Sequence, residues 1–136
     1  MSRHKIGLSR AMGAMSNSDF HKQKLGCALI YRKYTLSVGW NSSKTSPVQK
    51  QYNVYRDLVG DCIKHAVHAE IMALEAAKHF DVDWNKVTLY VYREHANGNP
   101  AKAMPCPACM QRIKDVGIKT VVYTDSNERG YTVMTV

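Results

Sequence analysis

No stretch of this 136-residue chain is apolar for long enough to form a membrane-spanning helix, and residues 1–10 lack the apolar core of an export signal. A cytoplasmic location and no membrane partner are therefore expected. Cysteine is scarce, at four residues, and without an export signal these argue for metal binding rather than a disulfide scaffold. Internal repeats, linkers and low-complexity tracts are also missing. Residues 1–136 are read as one domain, a length that buries roughly two-thirds of the surface its unfolded form exposes. Acidic residues are short in the first half only: residues 1–64 hold 11 Lys+Arg against 3 Asp+Glu, whereas residues 65–136 hold 8 of each. The whole excess of +8 thus lies in one half. Such a bias attracts anions, and a nucleotide phosphate or a nucleic-acid backbone would both respond to it; a solvated basic surface is the plain alternative.

What is present reads as alternating helices and strands. Residues 2–16 carry Ile6, Leu8, Met12 and Met15 at helical spacing, with the methionines as core filler and residues 16–19 as a turn. Residues 25–31 and 34–40 are β-rich and joined by Arg32-Lys33, which predicts a hairpin; the turn lacks Asn-Gly, so a bulge or longer loop is compatible. Asn41 then stands at the strand's exit, where an amide can meet a sugar or base edge or simply make a turn. Residues 42–64 interleave cations with tyrosines. Lys44 and Tyr52 suit a substrate-covering loop in which charge meets phosphate and rings stack on bases, and a short surface helix is the alternative.

Residues 65–80 are rich in alanine and form the clearest helix, followed by a turn at 81–85 and a strand at 87–92. A breaker-rich loop at 96–100 leads to a second helix at 106–116, closed by Gly117. A strand at 119–124 follows, and strand, helix, strand implies a parallel crossover. The turn at 125–130 is too short for a helix, so residues 131–136 should return as an antiparallel last strand.

The chemistry concentrates in Pro105-Cys106-Pro107-Ala108-Cys109 and His68-Ala69-Glu70. Two thiols three positions apart share one helix face, and a histidine from another helix start can complete three ligands around a tetrahedral zinc. The open fourth position takes water, whose pKa falls to about 7. Glu70 is the natural proton carrier beside it. Two positions from His68, it must meet the site from the helix's N-terminal end, because each residue turns the side chain by about 100°. The helix N-termini should also lower both thiol pKa values. A closed site would need a fourth ligand, with Cys62, His65 or His95 as candidates.

These residues resemble the H-x-E…P-C-x-x-C signature of the zinc-dependent cytidine/deoxycytidylate deaminase superfamily, over about residues 25–124. The resemblance implies an α/β fold, the three-layer α/β/α cytidine deaminase-like one, with a mixed sheet of about five strands. It implies Zn2+ held by His68, Cys106 and Cys109, and Glu70 as the catalytic acid/base residue. Asn41 and the backbone of Ala69 would be substrate contacts. Within the match, His68-Ala69-Glu70-Ile71-Met72-Ala73-Leu74 is similar to the helix of tRNA adenosine deaminases. The Pro105–Cys109 run, with Gly117-Ile118-Lys119, is similar to deoxycytidylate deaminases, which often carry an insertion like residues 42–64. The short tail departs from both groups. The activity implied is hydrolytic deamination of cytosine in a free (deoxy)nucleotide, dCMP to dUMP and ammonia. The alternatives are a deaminase acting within single-stranded nucleic acid or tRNA, and a non-catalytic zinc-binding module. Superfamily members usually assemble so that neighbours complete each active site, which implies a homo-oligomer.

Overall fold

The structure, a computed structural model, describes residues 2–20, 23–57 and 65–136. Helix α1 (Arg3–Met15) starts on Ser2, whose side chain accepts from the Lys5 N–H and so serves one of the orphan donors of the first turn. Strands β1 (Gly26–Tyr31) and β2 (Tyr34–Trp40) form the expected hairpin. Its turn is the two residues Arg32 and Lys33, Arg32 takes a positive φ of 57°, and the register shifts between Leu29 and Ile30. Helices α2 (Pro47–Tyr52) and α3 (Val54–Asp57) follow, then α4 (Ala69–Ala77), a 3-10 turn at Trp84–Lys86, β3 (Val87–Tyr92), α5 (Pro107–Val116), β4 (Thr120–Thr124) and β5 (Tyr131–Thr135).

The five strands make one mixed sheet in the order β2-β1-β3-β4-β5. β3 and β4 are parallel across the α5 crossover, and the remaining pairs are antiparallel, including the last, β4 with β5. Alternation along the strands divides the interior in two. Cys27, Leu29, Leu89, Val91 and Val121 face α4 and α5, whereas Ala28, Tyr90 and Val122 face α1 with its Leu8 and Ala11. Each fully buried Leu, Ile or Val on the larger side contributes about 1.5–3 kcal/mol. Helices on both faces give the expected three-layer α/β/α arrangement. Among the described residues, no helix is long and apolar enough to cross a membrane.

Two expectations need correction. The helix expected over 65–80 begins at Ala69 and ends at Ala77, because the residues before it are used in a different way: Ala66 bridges Thr45, and Val67 exchanges backbone hydrogen bonds with Ser42 and Lys44. Residues 47–57 take the helical alternative over the covering loop, with Pro47 in the first turn and Ser46 capping it. Tyr52 consequently points into the protein. It is 7% exposed, its hydroxyl donates to Asp115 Oδ2 at 2.7 Å, and Arg112 lies over its ring. It pins α2 to α5 and is no cover for a substrate. Cys62, with residues 58–64, lies outside the described residues.

Candidate active site

Two helix N-termini meet at one point. His68 is the N-cap of α4 and Cys106 the N-cap of α5; both have extended backbones, and neither side chain caps its own helix. Freed from that role, both side chains turn toward each other. His68 Nδ1 lies 3.4 Å from Cys106 Sγ and 3.4 Å from Cys109 Sγ. The three donor atoms all lie within 4.8 Å of one another and are, among the described residues, the group that could hold a metal ion. Tetrahedral zinc with Zn–N near 2.0 Å and Zn–S near 2.3 Å needs N···S edges of about 3.5 Å. The donor set therefore fits zinc in chemistry and spacing. His65, a candidate fourth ligand, has its Nδ1 3.0 Å from Asn53 Nδ2, and neither it nor His95 joins the donor group.

The group opens onto a cleft of about 390 Å3. His68, Ala69, Glu70 and Cys106 line it, Cys109 lies buried behind, and Asn41, Phe20, Met104 and Arg56 form other parts of the wall. Glu70 is in the first turn of α4 and is 3% exposed. Gly39 lets α4 approach this closely: a Cβ on it would collide with the Ala69 carbonyl and the Ala73 amide.

The protonation pattern follows from this packing. Burial raises the Glu70 pKa, with the His68 charge opposing it. Burial lowers that of His68, but the Cys106 hydrogen bond and the Glu70 charge outweigh it and hold the imidazole above its ordinary value. A hydrogen bond from Cys109 and the contacts with His68 draw Cys106 down to about 4 against the effect of burial. Cys109 goes the other way, held well up as the donor to Cys106, by burial and by the Glu70 charge. Without metal only one of the two thiols is therefore a ready thiolate, where the sequence suggests both; two thiolates side by side next to a carboxylate repel in a dry setting.

A polar network supports His68 from behind. Its backbone N–H donates to Gln49 Oε1 at 3.0 Å, and Gln49 Nε2 donates to Asn53 Oδ1 at 2.8 Å. Arg56 Nη1 lies 3.4 Å from both Asn53 Oδ1 and His68 Nε2. Gln49 and Asn53 are both fully buried, and the sequence reading passed over them. Their one signal was an i, i+4 amide pair in a segment too polar to look buried.

The structure brings His68, Ala69, Glu70, Cys106, Cys109 and Asn41 together. Asn41's amide is already engaged: Oδ1 accepts from Ser18 Oγ at 2.7 Å and the Leu25 N–H at 2.8 Å, and Nδ2 donates to the Gln23 carbonyl at 2.6 Å. Lys44 and Tyr52 are not among the lining residues. Lys44 is exposed, with its carbonyl accepting from the Val67 N–H, and Tyr52 is held at α5.

A mixed five-stranded sheet between helical layers, with imidazole and thiolate donors on two helix starts beside a buried carboxylate, defines a zinc-site deaminase architecture. The model of the cytidine and deoxycytidylate deaminase zinc-binding region matches residues 1–125, and the chain belongs to that family. Among solved structures, it resembles the cytidine deaminase of Burkholderia pseudomallei (TM-score 0.65, 21% identity, covering 99% of this chain and 93% of that one). It also resembles the dCMP deaminase of cyanophage S-TIM5 (TM-score 0.59, 19% identity, 94% and 88%) and a mutant cytidine deaminase of Mycobacterium tuberculosis (TM-score 0.59, 14% identity, 90% and 85%). At these identities the likeness is one of fold. No curated protein matches the chain by sequence.

Proposed function

We propose that the protein is a zinc-dependent hydrolase that deaminates cytosine in a free deoxynucleotide, converting dCMP to dUMP and ammonia. The observation that carries this reading is the placement of Glu70, a buried carboxyl on the cleft wall beside His68 and Cys106, with Cys109 behind. His68 Nδ1, Cys106 Sγ and Cys109 Sγ would hold the ion. Zn2+ bound there supplies the Lewis acidity that makes water a nucleophile at neutral pH. Glu70 would take a proton from the attacking water and deliver it to the pyrimidine ring nitrogen as the C4–O bond forms. Glu70 would then take the remaining proton from the new C4 hydroxyl and pass it to the exocyclic nitrogen, which would leave as ammonia as the C4–N bond breaks and the C4 carbonyl forms. The raised Glu70 pKa suits a group that must both accept and release a proton near neutrality. The Ala69 backbone, at the helix start on the cleft wall, would hold the base.

Support for a free nucleotide comes from the cleft, which is of small-molecule size and, among the described residues, has Arg56 as its one Lys or Arg wall residue. A polynucleotide track needs a row of such cations. The cyanophage enzyme of the same fold is solved with dCMP and dUMP. The decisive measurement is ammonia release from cytidine, deoxycytidine, CMP, dCMP, dCTP, adenosine and a single-stranded oligonucleotide. Fastest turnover of dCMP is expected. Turnover of the oligonucleotide alone would replace this substrate assignment, and zinc content with no release from any of them would leave a binding module.

A further inference from the structure

Part of the cleft wall is chain that belongs to no helix or strand. Phe20, Gln23 and Leu25 line the cleft from the connection between α1 and β1, and among the described residues Asp19, Phe20, Gln23 and Lys24 make no backbone-to-backbone hydrogen bond. Polar backbone groups that neither helix nor sheet satisfies need other partners. Two side chains supply them here. Asn41 Oδ1 accepts from the Leu25 N–H at 2.8 Å, and Nδ2 donates to the Gln23 carbonyl at 2.6 Å. The Ser18 hydroxyl donates to the same Oδ1 at 2.7 Å and accepts from the Phe20 N–H at 3.3 Å. Asp19 is fastened alongside, its carboxylate accepting from the Ser43 N–H at 2.9 Å and from the Ser43 hydroxyl. Ser18 and Asn41 are 6% and 9% exposed, so their bonds are made largely out of water.

The number of these bonds decides what Asn41 can do. An asparagine amide has two acceptor sites on its oxygen and two N–H donors. Both acceptor sites are filled and one donor is spent, so a sugar hydroxyl or a base edge meets no acceptor there. A reversed amide would set N–H against N–H at Leu25 and oxygen against oxygen at Gln23, which fixes its orientation. Ser18 is not among the lining residues and reaches the cleft only through Asn41 and Phe20. Phe20 carries the one phenyl ring on the wall among the described residues, and such a ring is a surface on which a nucleoside packs.

We propose that Ser18 and Asn41 are positioning residues of this cleft, a clasp that holds the connection between α1 and β1 so that Phe20 packs against the nucleoside of the substrate. Asn41 acts through the wall it holds. The role of Phe20 rests on the reading of the cleft as the deaminase site, whereas the clasp is a property of the fold.

Steady-state deamination of dCMP by the zinc-loaded chain tests this. Phe20→Ala and Ser18→Ala should each raise KM about tenfold. The kcat of each should stay within about twofold of the parent, the signature of binding lost equally from ground and transition states. In the Phe20→Ala background, Ser18→Ala should change KM by less than about twofold, because both act through one ring. Asn41→Ala, which removes three bonds, should raise KM at least as far as Ser18→Ala does. Ser16→Ala, which removes a hydroxyl bond to the Gly13 carbonyl outside the cleft, should leave KM unchanged. Independent, multiplying effects of Ser18→Ala and Phe20→Ala overturn the proposal. So does an unchanged KM in Ser18→Ala beside a raised one in Asn41→Ala, which would make Asn41 a direct contact. Amide hydrogen exchange reads the clasp whatever the substrate: the Phe20 amide in Ser18→Ala and the Leu25 amide in Asn41→Ala should each exchange at least about tenfold faster than in the parent. Unchanged exchange overturns the clasp. Turnover of another nucleotide in place of dCMP moves the same KM comparison to that nucleotide, so the substrate assignment can fail while the clasp stands.

Discussion

The two faces of the sheet are built with the same mechanical device and put to different ends. On each, a strand glycine admits a helix at backbone contact: Gly26 under α1, where a Cβ would meet the Ala11 carbonyl, and Gly39 under α4, where it would meet Ala69. The α1 face then closes over Leu8, Ala11, Ala28, Tyr90 and Val122, without a buried charge among the described residues. The other face buries Glu70, Gln49 and Asn53 and leaves two helix N-caps without side-chain caps. Helix α1 keeps the local capping rule, and α4 and α5 break it where chemistry is placed, the pattern expected of a functional site.

The strongest way to break this contrast is at Glu70. Glu70→Gln should reduce deamination by about a thousandfold, within the range for a lost general acid–base, while zinc content is retained. The same variant should stabilise the metal-free protein at neutral pH. Burial raises the Glu70 pKa above its ordinary 4.5, so the carboxyl's stabilising contribution is fully present below that value and is lost as pH rises through the folded pKa. Thermal melts across pH should show that loss in the parent and its absence in the glutamine form. An undiminished rate would remove Glu70 from the mechanism.

Next in size is Gln49. Replacing it with Ala leaves the His68 N–H without its acceptor and should weaken zinc binding about 10- to 100-fold, as supporting groups around metal ligands do. Leu8→Ala on the α1 face supplies the comparison: a core truncation that costs about 2–5 kcal/mol yet leaves zinc affinity, read by chelator competition, unchanged. Should both variants lower zinc affinity alike, the faces are not separable in this way.

The glycine pair sharpens the same point. Gly26→Ala and Gly39→Ala each force a helix outward, at about 1–3 kcal/mol or more. Only Gly39→Ala moves the helix that carries His68 and Glu70, so it alone should lose zinc stoichiometrically while both lower the melting temperature.

How much of this could be read from the chain depends on the range of the interaction. The donor set was legible because its geometry is nearly local: Cys106 and Cys109 share a helix face by spacing alone, and His68 needs one other helix start. The antiparallel β5 was legible because six residues cannot hold a crossover helix. Tyr52 was not, since its role is set by Asp115 and Arg112, some sixty positions away. The start of α4 was misplaced for a related reason: alanine content favours helix from residue 65, but pairing with residues 42–45 outweighs that propensity. The charge asymmetry was visible, but not that four of its cations, Arg3, Arg10, Arg32 and Lys33, line one cavity with Lys86 on the α1 side of the sheet.

The smallest expected effects concern the caps, and they test the contrast without the chemistry. Ser2 caps α1 through its hydroxyl, so Ser2→Ala should cost about 1 kcal/mol. Cys106 occupies the equivalent position on α5 but makes no such bond, because its sulfur is turned toward His68. Serine is among the best N-cap residues. Cys106→Ser should therefore abolish zinc binding yet leave the metal-free protein as stable as the parent, or more stable by up to about 1 kcal/mol, as its hydroxyl turns back to serve the α5 amides. The two substitutions then have opposite signs in a metal-free melt although both touch an N-cap. If Cys106→Ser instead destabilises the metal-free protein as much as Ser2→Ala does, the sulfur contributes to the fold in its own right, and the cost at this helix start cannot be assigned to the metal site.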